Sequence, residues 1–414
     1  MSVSAKKINV LGRKEGISSG IIKIGRYYAL DGSMGSEVYL DCIHPHVILI
    51  CGKRGYGKSY TIGVFIEEIA MLEEKIRENI SFIVIDTLGI FWTALWPNFK
   101  EKNILEKWNL SPKKIDIVIF SSGENANKYR RMGIKAEKLI IKTSEMDLYH
   151  WCQLFNLSIT SYESAVIGKI LNEIEGKDYS VDEIIESLMG KEGIKEEVKM
   201  VLENFFNMAK SWNLFGIEGV KIDDIARGGK ITVIDLSPFP DELKRIIVSV
   251  LSRKIFYGRI DERKKYEEAV INKKDVKEKI PLTWVAIDEA HIFIPEKECI
   301  SKNVLVNQWL RQGRQLGLSM ILATQRPSSL DREVFSHSDI IISHRLTSHE
   351  DLEALNTIRP SYMNAKIGEA IKKIGDEKGT AIIIDDNSES VHVIKVRPRL
   401  SWHGGDEVTA MERK

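Results

Sequence analysis

The chain has 414 residues, 43% of them hydrophobic and 29% charged, which is typical of a globular protein with one large α/β core or two domains. Its net charge of +1 excludes a global basic field, so any contact with nucleic acid has to come from local patches or from an assembled ring. The four cysteines lie far apart without a CxxC pair, so the sequence indicates neither a disulfide framework nor a zinc ribbon.

The N-terminal half begins with β segments and changes to alternating strands and helices. Residues 1–43 contain short alternating segments between glycine turns, which predict a small N-terminal β element. Residues 46–51 (HVILIC) form an apolar run typical of a buried parallel strand. From Lys58 to Ile76 apolar residues recur at helical spacing. Further buried strands are predicted at 82–85, 115–120 and 139–141.

A helical region interrupts this alternation. Between 146 and 228 the β pattern disappears, and several helices are predicted, one of them begun by a capping box at Ser180 and Glu183. The charged run 258–280 is predicted to be a solvated excursion between core elements. The remaining predicted elements are strands at 231–236, 282–287, 319–323 and 340–343, helices near 241–257 and across 304–315, and a hairpin of 378–385 and 390–397.

These elements predict an α/β fold with a mainly parallel sheet. We divide the chain into an N-terminal β element, a first part of the core, an α-helical insertion, a second part of the core and a polar tail. The boundaries are 1–43, 44–145, 146–228, 229–400 and 401–414. No apolar run reaches 18 residues and the N-terminus lacks an apolar signal core, so we expect a soluble cytoplasmic protein without membrane segments.

A glycine-rich segment follows the first apolar strand. Residues 52–59 (GKRGYGKS) fit GxxxxGK[ST] between a predicted strand and a predicted helix, which is the context that this motif requires. Its glycines let backbone N–H groups curl around a β-phosphate, and the helix N-terminus adds its dipole. Lys58 is expected to reach the β- and γ-phosphates, and the Ser59 hydroxyl to bind Mg²⁺. The residues expected to bind the nucleotide are Gly52, Gly55, Tyr56, Gly57, Lys58, Ser59 and Tyr60.

Two acidic residues end the predicted strand of residues 281–289 (PLTWVAIDE). Asp288 is expected to hold Mg²⁺, and Glu289 to polarise the attacking water as general base. The alternative is that the pair only caps the following helix. The expected nucleotide is ATP, because no NKxD-type guanine motif appears.

The next strand and the helix before it carry further candidates. Gln325 follows the strand tip, where ligands gather in such sheets, and is expected to sense the γ-phosphate. The alternative is a glutamine bonded within its own turn. An arginine of the preceding helix, Arg311 or Arg314, can reach across a subunit boundary as an arginine finger, although most helical arginines are simply solvated.

The ordered segments GKRGYGKS, IDEAH and RQGRQLGLSMILATQRPSSL, together with ITVIDLS and SWHGG, resemble the HerA/FtsK superfamily of P-loop ATPases, and HerA-like (DUF87) proteins in particular. The resemblance covers about residues 44–405. It implies a RecA-like core that assembles as a hexameric ring, holds ATP between subunits and moves double-stranded DNA through a central channel. HerA itself carries a longer N-terminal β-barrel, so residues 1–43 correspond to a reduced or absent barrel. Docking of a nuclease partner is therefore in question.

The resemblance also implies roles for single residues. Lys58 and Ser59 bind nucleotide and Mg²⁺, Asp288 and Glu289 form the Walker B pair, Gln325 is the sensor and Arg314 the trans-acting arginine. Asp86, after the second core strand, corresponds to a position that faces the nucleotide, against the alternative of a strand-end turn. His291 is expected to pack beside the site, and no metal role is expected for His44 or His46.

DNA contacts are expected from a basic cluster on a predicted loop, because cations contact phosphates and an aromatic ring suits backbone tracking. The alternative is a solvated basic face. The cluster consists of Lys128, Tyr129, Arg130 and Arg131, with Lys135 and Lys138 nearby.

The expected function is an ATP-hydrolysing, ring-forming motor that translocates double-stranded DNA in DNA processing, repair or defence, with a nuclease or another effector as its partner. Two alternatives stay open. One is a secretion or conjugation motor of the VirB4 type, and the other is a nucleotide-gated scaffold for an effector.

Overall fold

The fold is built around one large sheet. A computed structural model of the protein describes residues 10–13, 19–29, 31–275, 278–356 and 377–405. Its strands are β1 (Val10–Leu11), β2 (Ile21–Tyr28), β3 (Met34–Asp41), β4 (Val47–Cys51), β5 (Ile80–Asp86), β6 (Ile117–Ser121), β7 (Ala136–Lys138), β8 (Ile141–Lys142), β9 (Phe215–Gly216), β10 (Ile231–Asp235), β11 (Leu282–Ile287), β12 (Leu318–Thr324), β13 (Ile340–Ser343), β14 (Thr380–Asp385) and β15 (Ser390–Val396).

Helices cover both faces of this sheet. They are α1 (Lys58–Ala70), α2 (Glu74–Arg77), α3 (Lys102–Lys107), α4 (Gly123–Arg131), α5 (Leu148–Leu154), α6 (Tyr162–Glu173), α7 (Val181–Met189), α8 (Glu196–Ser211), α9 (Ile222–Ile225), α10 (Asp241–Ile271), α11 (Ile300–Val304), α12 (Arg311–Leu316), α13 (Arg332–His337) and α14 (His349–Asn356). A π-helical stretch, Leu305–Leu310, joins α11 to α12. Within the described ranges, no helix has the length and apolarity needed to cross a membrane.

The strand order of the large sheet is β1-β3-β2-β15-β14-β13-β4-β12-β11-β5-β10-β6-β7. From β13 to β7 all neighbours pair in parallel, whereas β14, β15 and β2 add antiparallel strands at the other side. The predicted α/β fold with a mainly parallel sheet is therefore confirmed. The N-terminal β element is not separate from this core, because β2 pairs directly with β15.

Two apolar layers enclose the sheet. On β4, Ile48 and Ile50 point to the layer that contains α1, while Leu49 and Cys51 point to the layer that contains α10 and the helical insertion. A strand that is buried on both faces appears in the sequence as a continuous apolar run. For this reason the bounds of the central strands were predicted to within one or two residues. The cysteines are all free and buried.

Several local predictions are confirmed. The capping box at Ser180 and Glu183 begins α7. The hairpin near the C-terminus is present as β14 and β15, and the helix across 304–315 is present as the continuous helical stretch Ile300–Leu316 with its π-helical centre.

Other local predictions are wrong. The charged run 258–280 was predicted to be a solvated excursion, but its first part is helical, because α10 continues to Ile271. Ion pairs within this helix, such as Lys265 with Glu262, support a polar helical surface that composition alone does not distinguish from a loop. The helix from Lys58 ends at Ala70 instead of continuing to Ile76. The region 146–228 contains the short strand β9, paired with β8. Of the strand predicted at 139–141, only Ile141 belongs to a strand, β8, because residues 139 and 140 connect β7 to β8.

A buried ionic group fastens the amino end of β4. The His46 imidazole lies between two carboxylates, with Nδ1 2.5 Å from Asp339 and Nε2 3.1 Å from Asp41. Asp41 also pairs with Arg13 at 2.6 Å. Burial alone lowers the pKa of His46, but the hydrogen bonds to Asp339 and Asp41 outweigh burial and raise the pKa to about 9. At neutral pH the imidazole is therefore a buried cation between two anions.

This arrangement predicts a pH-dependent stability. Because the folded-state pKa of His46 is raised from 6.5, its stabilisation is fully present below about pH 6.5 and is lost as the pH rises through about 9. We expect His46→Gln to lower the free energy of unfolding by about 3 kcal/mol at pH 6. The difference between the two proteins, measured by urea unfolding, should shrink by pH 10. A difference that stayed constant from pH 6 to pH 10 would contradict the assignment.

Candidate functional site

The parallel strands bring several candidate residues to one edge of the sheet. Thr324 at the end of β12 is in register with Cys51 at the end of β4, and Ile287 of β11 is in register with Leu322 of β12. The residues that follow these strands therefore emerge side by side. Ligands bind at this carboxyl edge in open α/β sheets.

The glycine-rich loop needs its glycines for two physical reasons. Gly52 and Gly57 adopt φ values of 155° and 121°, which side-chain-bearing residues rarely adopt. A Cβ at Gly52 would also lie 2.6 Å from the Cβ of His344, and one at Gly57 would lie 3.0 Å from its Cε1. The loop is thus packed against His344 so closely that only glycine fits.

His344, which follows β13, packs against the glycine-rich loop, and this contact was not predicted from the sequence. Its Nδ1 lies 3.1 Å from the carbonyl oxygen of Thr380, and its Nε2 lies 2.9 Å from the Thr61 hydroxyl in α1. Burial lowers its pKa to about 4, so the ring is neutral at physiological pH. The next residue, Arg345, accepts a hydrogen bond from Lys53 N at 2.8 Å and lies over the Tyr56 ring. The order of strands, with β13 beside β4, produces these contacts.

At the start of α1, Lys58 and Ser59 face the acidic residues that follow β11. The Ser59 hydroxyl donates a hydrogen bond to Asp288 at 3.0 Å. The Lys58 ammonium is buried and donates to the Lys53 carbonyl at 3.2 Å. Burial lowers the pKa of Lys58 although Glu289 and Asp288 oppose this effect. Burial and the neighbouring Glu289 charge raise the pKa of Asp288 to about 6.

Glu289 has a strained backbone and a partly unsatisfied carboxylate. It adopts the left-handed conformation with φ 53°, which is uncommon for glutamate and occurs at functional sites. The Gln325 amide donates to Oε1, so the two side chains meet across β12 and β11. Among the described residues, Oε2 is buried without a hydrogen-bond partner, and His291 Nδ1 lies 3.4 Å from it. This oxygen therefore lacks the hydrogen bond that a buried polar atom normally makes.

The donor set fits a nucleotide with Mg²⁺. Mg²⁺ takes hard oxygen ligands, and the hydroxyl of Ser59 and the carboxylate of Asp288 present two such oxygens in contact. The orphaned oxygen of Glu289 and the buried ammonium of Lys58 each lack a full complement of partners, which the phosphates and a bound water would supply.

Asp86 ends β5 next to this site but is already engaged. Its carboxylate accepts hydrogen bonds from the backbone N–H groups of Leu88 at 3.2 Å, Gly89 at 2.8 Å and Phe91 at 2.9 Å. Burial and the neighbouring Asp235 raise its pKa to about 7. These contacts are those of a strand-end turn, the alternative to a position that faces the nucleotide.

Arg314 lies at the opposite edge of the sheet. It precedes β12, a seven-residue strand that spans about 20 Å, whereas Gln325 follows that strand. Its side chain is exposed and has no ion pair within the described part of the chain, while Arg311 pairs with Glu333. The structure therefore keeps Arg314 away from the loop of its own chain.

The basic cluster proposed for DNA does not lie on a loop. Lys128, Arg130 and Arg131 belong to α4, and Tyr129 is buried with its hydroxyl bonded to Asp235 at 2.9 Å. The ring is therefore not free to stack on bases, and the loop prediction is wrong. Lys128 pairs with Glu124 at 2.8 Å and Arg130 lies 3.6 Å from Glu137, whereas Arg131, Lys135 and Lys138 are exposed.

Comparisons with known proteins identify the family of this chain. The family model DUF87, described as the central domain of the helicase HerA, matches residues 22–255. The DNA double-strand break repair helicase HerA of Sulfolobus acidocaldarius is 23% identical over 391 residues, which cover 92% of this chain and 70% of that protein. The HerA of Pyrococcus furiosus is 24% identical over 270 residues, or 59% of this chain and 47% of the relative.

The match covers about half of two of these relatives, 47% of the Pyrococcus furiosus protein and 58% of the Sulfurisphaera tokodaii HerA. Among solved structures, VirB4 of Thermoanaerobacter pseudethanolicus superimposes with a TM-score of 0.57 at 14% identity, covering 96% of this chain and 99% of that chain. At this identity the likeness shows a shared fold.

Two substitutions test the site. Lys58→Ala removes the buried cation expected to bind the phosphates, so ATP binding should fall below detection in calorimetry.

Glu289→Gln keeps the shape of the side chain and the contact to Gln325 but cannot accept a proton. It should bind ATP normally and turn it over at least 100-fold more slowly, which corresponds to an activation barrier raised by about 3 kcal/mol. Wild-type turnover by Glu289→Gln would show that the base is another residue.

Proposed function

We propose that this chain, which belongs to the family of the HerA helicase central domain, is an ATP-driven motor. The motor moves double-stranded DNA through a ring of its own copies. The observation that carries the proposal is the contact of the glycine-rich loop with the acids after β11, in which Ser59 donates to Asp288 at 3.0 Å. The names of the HerA relatives support DNA as the substrate.

Each side chain at the carboxyl edge has a task in this proposal. Lys58 binds the β- and γ-phosphates, and Ser59 with Asp288 holds Mg²⁺, which neutralises charge that develops on the phosphates. Glu289 orients the attacking water and accepts its proton through Oε2. Gln325 already contacts Oε1, so loss of the γ-phosphate changes the environment of both side chains together.

The opposite edge supplies the neighbouring site. Arg314 is exposed and about one strand length from its own loop, so it acts only on a nucleotide held by an adjacent copy. In such an arrangement the nucleotide joins two subunits, and a closed ring gives each copy one partner on either side. We propose a hexamer.

The proposal assigns a role to each segment of the chain. Residues 44–145 and 229–400 form the motor core, 146–228 an α-helical insertion and 1–43 an added β element. DNA contacts come from local cations facing the channel, for which Lys128, Arg130 and Arg131 are candidates. A nuclease or another effector is the expected partner, and the expected compartment is the cytoplasm.

The substrate is tested by turnover and particle mass. We expect ATPase activity to rise severalfold with double-stranded DNA, and native mass spectrometry to show six copies when an ATP analogue and duplex are present. Nucleotide-dependent assembly without stimulation by DNA would indicate a nucleotide-gated scaffold instead. Stimulation by a polypeptide substrate but not by DNA would indicate a secretion-type motor.

The role of Arg314 is tested in mixed assemblies. Arg314→Ala should lower turnover at least 100-fold, because a trans-acting cation no longer reaches the transition-state charge. Adding Lys58→Ala subunits, which are inactive but carry an intact Arg314, should restore part of the activity. The matched control is Arg311→Ala, whose side chain pairs with Glu333 and which should retain turnover. A lack of rescue would contradict the shared site.

A further inference from the structure

Helix α8 of the helical insertion has apolar residues on two sides. Its inner side packs into the core through Leu202, Phe206 and Ala209, which are completely buried. The Phe206 ring contacts the ring of Trp151 in α5 edge-on, with centroids 5.1 Å apart. A helix on the surface of a globular protein normally needs only this one apolar side, with polar residues on the other.

A second group of apolar side chains lies on the solvent side of α8. Met200 is 59% exposed, Val201 45% and Met208 42%, and we call these three residues the α8 stripe. In a helix of 3.6 residues per turn, Val201 and Met208 lie nearly in line, and Met200 lies on the same side. The half-buried Phe205 lies between Val201 and Met208 and stacks on Phe155 with centroids 5.0 Å apart. Exposed apolar groups that are bordered by polar residues mark interaction sites.

The insertion that carries this stripe is strongly acidic. Residues 146–228 contain 15 acidic and eight basic side chains, a net charge of −7, whereas the whole chain carries +1. The rest of the chain therefore carries +8. On α8, Glu196 pairs with Lys199 at 3.1 Å, but Glu197 and Glu203 have no ion pair within the part of the chain that the structure describes. The border of the stripe is thus negatively charged.

We propose that the α8 stripe and its acidic border bind a basic amphipathic helix of a partner protein. The apolar side of that helix covers the stripe, and its Lys or Arg side chains pair with Glu197 and Glu203. Methionine suits such a surface because its flexible, unbranched side chain adapts to different apolar shapes. None of these residues belongs to the candidate nucleotide site, so this binding goes beyond the proposed motor function and does not depend on it.

The charge of the surface separates this partner from other occupants. Duplex DNA is disfavoured, because the acidic border repels its phosphates. An isologous contact between two copies of the chain would bring the same acidic side chains together, which costs free energy. A basic helix is the occupant for which both the apolar and the charged parts of the surface are favourable.

The surface is tested with a labelled peptide of about 18 residues, or five helical turns, in which Leu and Lys are arranged so that one side is apolar and the other basic. We expect it to bind the full-length protein in fluorescence anisotropy. The double variant Met200→Ser/Met208→Ser should weaken this binding about tenfold, because two apolar side chains are no longer buried by the peptide. The double variant Glu197→Gln/Glu203→Gln should weaken it about threefold and reduce its dependence on salt.

The matched control is Met132→Ser, which changes a methionine that is 54% exposed after α4, outside the insertion. It should leave the affinity for the peptide unchanged, and the same peptide with Glu in place of Lys should not bind. Failure of the Lys peptide to bind, equal binding of both peptides, or full binding by Met200→Ser/Met208→Ser would each overturn the proposal.

Particle mass and ATP turnover complete the test. A smaller particle mass of Met200→Ser/Met208→Ser in the absence of peptide would also overturn the proposal, because the stripe would then be a contact between copies of the chain. ATP turnover is measured separately, and its absence in the wild-type protein would overturn the proposed motor function while leaving the peptide result intact.

Discussion

The parallel pairing of β4 with β12, and of β12 with β11, is the constraint on which the site depends. Cys51 is in register with Thr324, so the glycine-rich loop and Gln325 leave the sheet at the same level. The register of β12 with β11 brings Asp288 within hydrogen-bond distance of Ser59, although 229 positions separate them along the chain. A shift of one residue in either pair would turn the alternate side chains to the other face and break this contact.

This register also concentrates buried acids. Asp86, Asp288 and Glu289 lie at neighbouring strand ends. The positive charge of Lys58 opposes the rise in the pKa of Asp288. The pKa of Asp288 is about 6 and that of Asp86 about 7, since burial disfavours the charged forms and the neighbouring charges, Glu289 for Asp288 and Asp235 for Asp86, add to this effect. The acidic side chains at this edge outnumber the cations, so a divalent cation would stabilise their charged forms. The carboxylate of Asp86 is instead stabilised by hydrogen bonds from backbone N–H groups.

The sequence predicted what depends on local pattern and missed what depends on distant neighbours. Continuous apolar runs located the central strands, and the spacing of glycines with Lys58 located the loop. The charged part of α10 was misread because solvated helices and loops share a composition. The basic cluster was placed on a loop for the same reason, although Tyr129 is anchored by Asp235 in α4. Nothing near His344 in sequence shows that it lies beneath the loop, because only the order of strands brings it there.

The Glu67 cluster extends the same logic to the end of the chain. Glu67 lies two turns along the helix that presents Lys58, and its charge is balanced by Arg397 and Arg399, more than 300 positions later. Removing one partner of a buried ion pair costs about 3–5 kcal/mol, so neither side of this cluster is stable without the other. The position of α1, and with it the loop, therefore depends on the segment that follows the last strand. A candidate site that appears local in sequence is therefore held in place by residues more than 300 positions away.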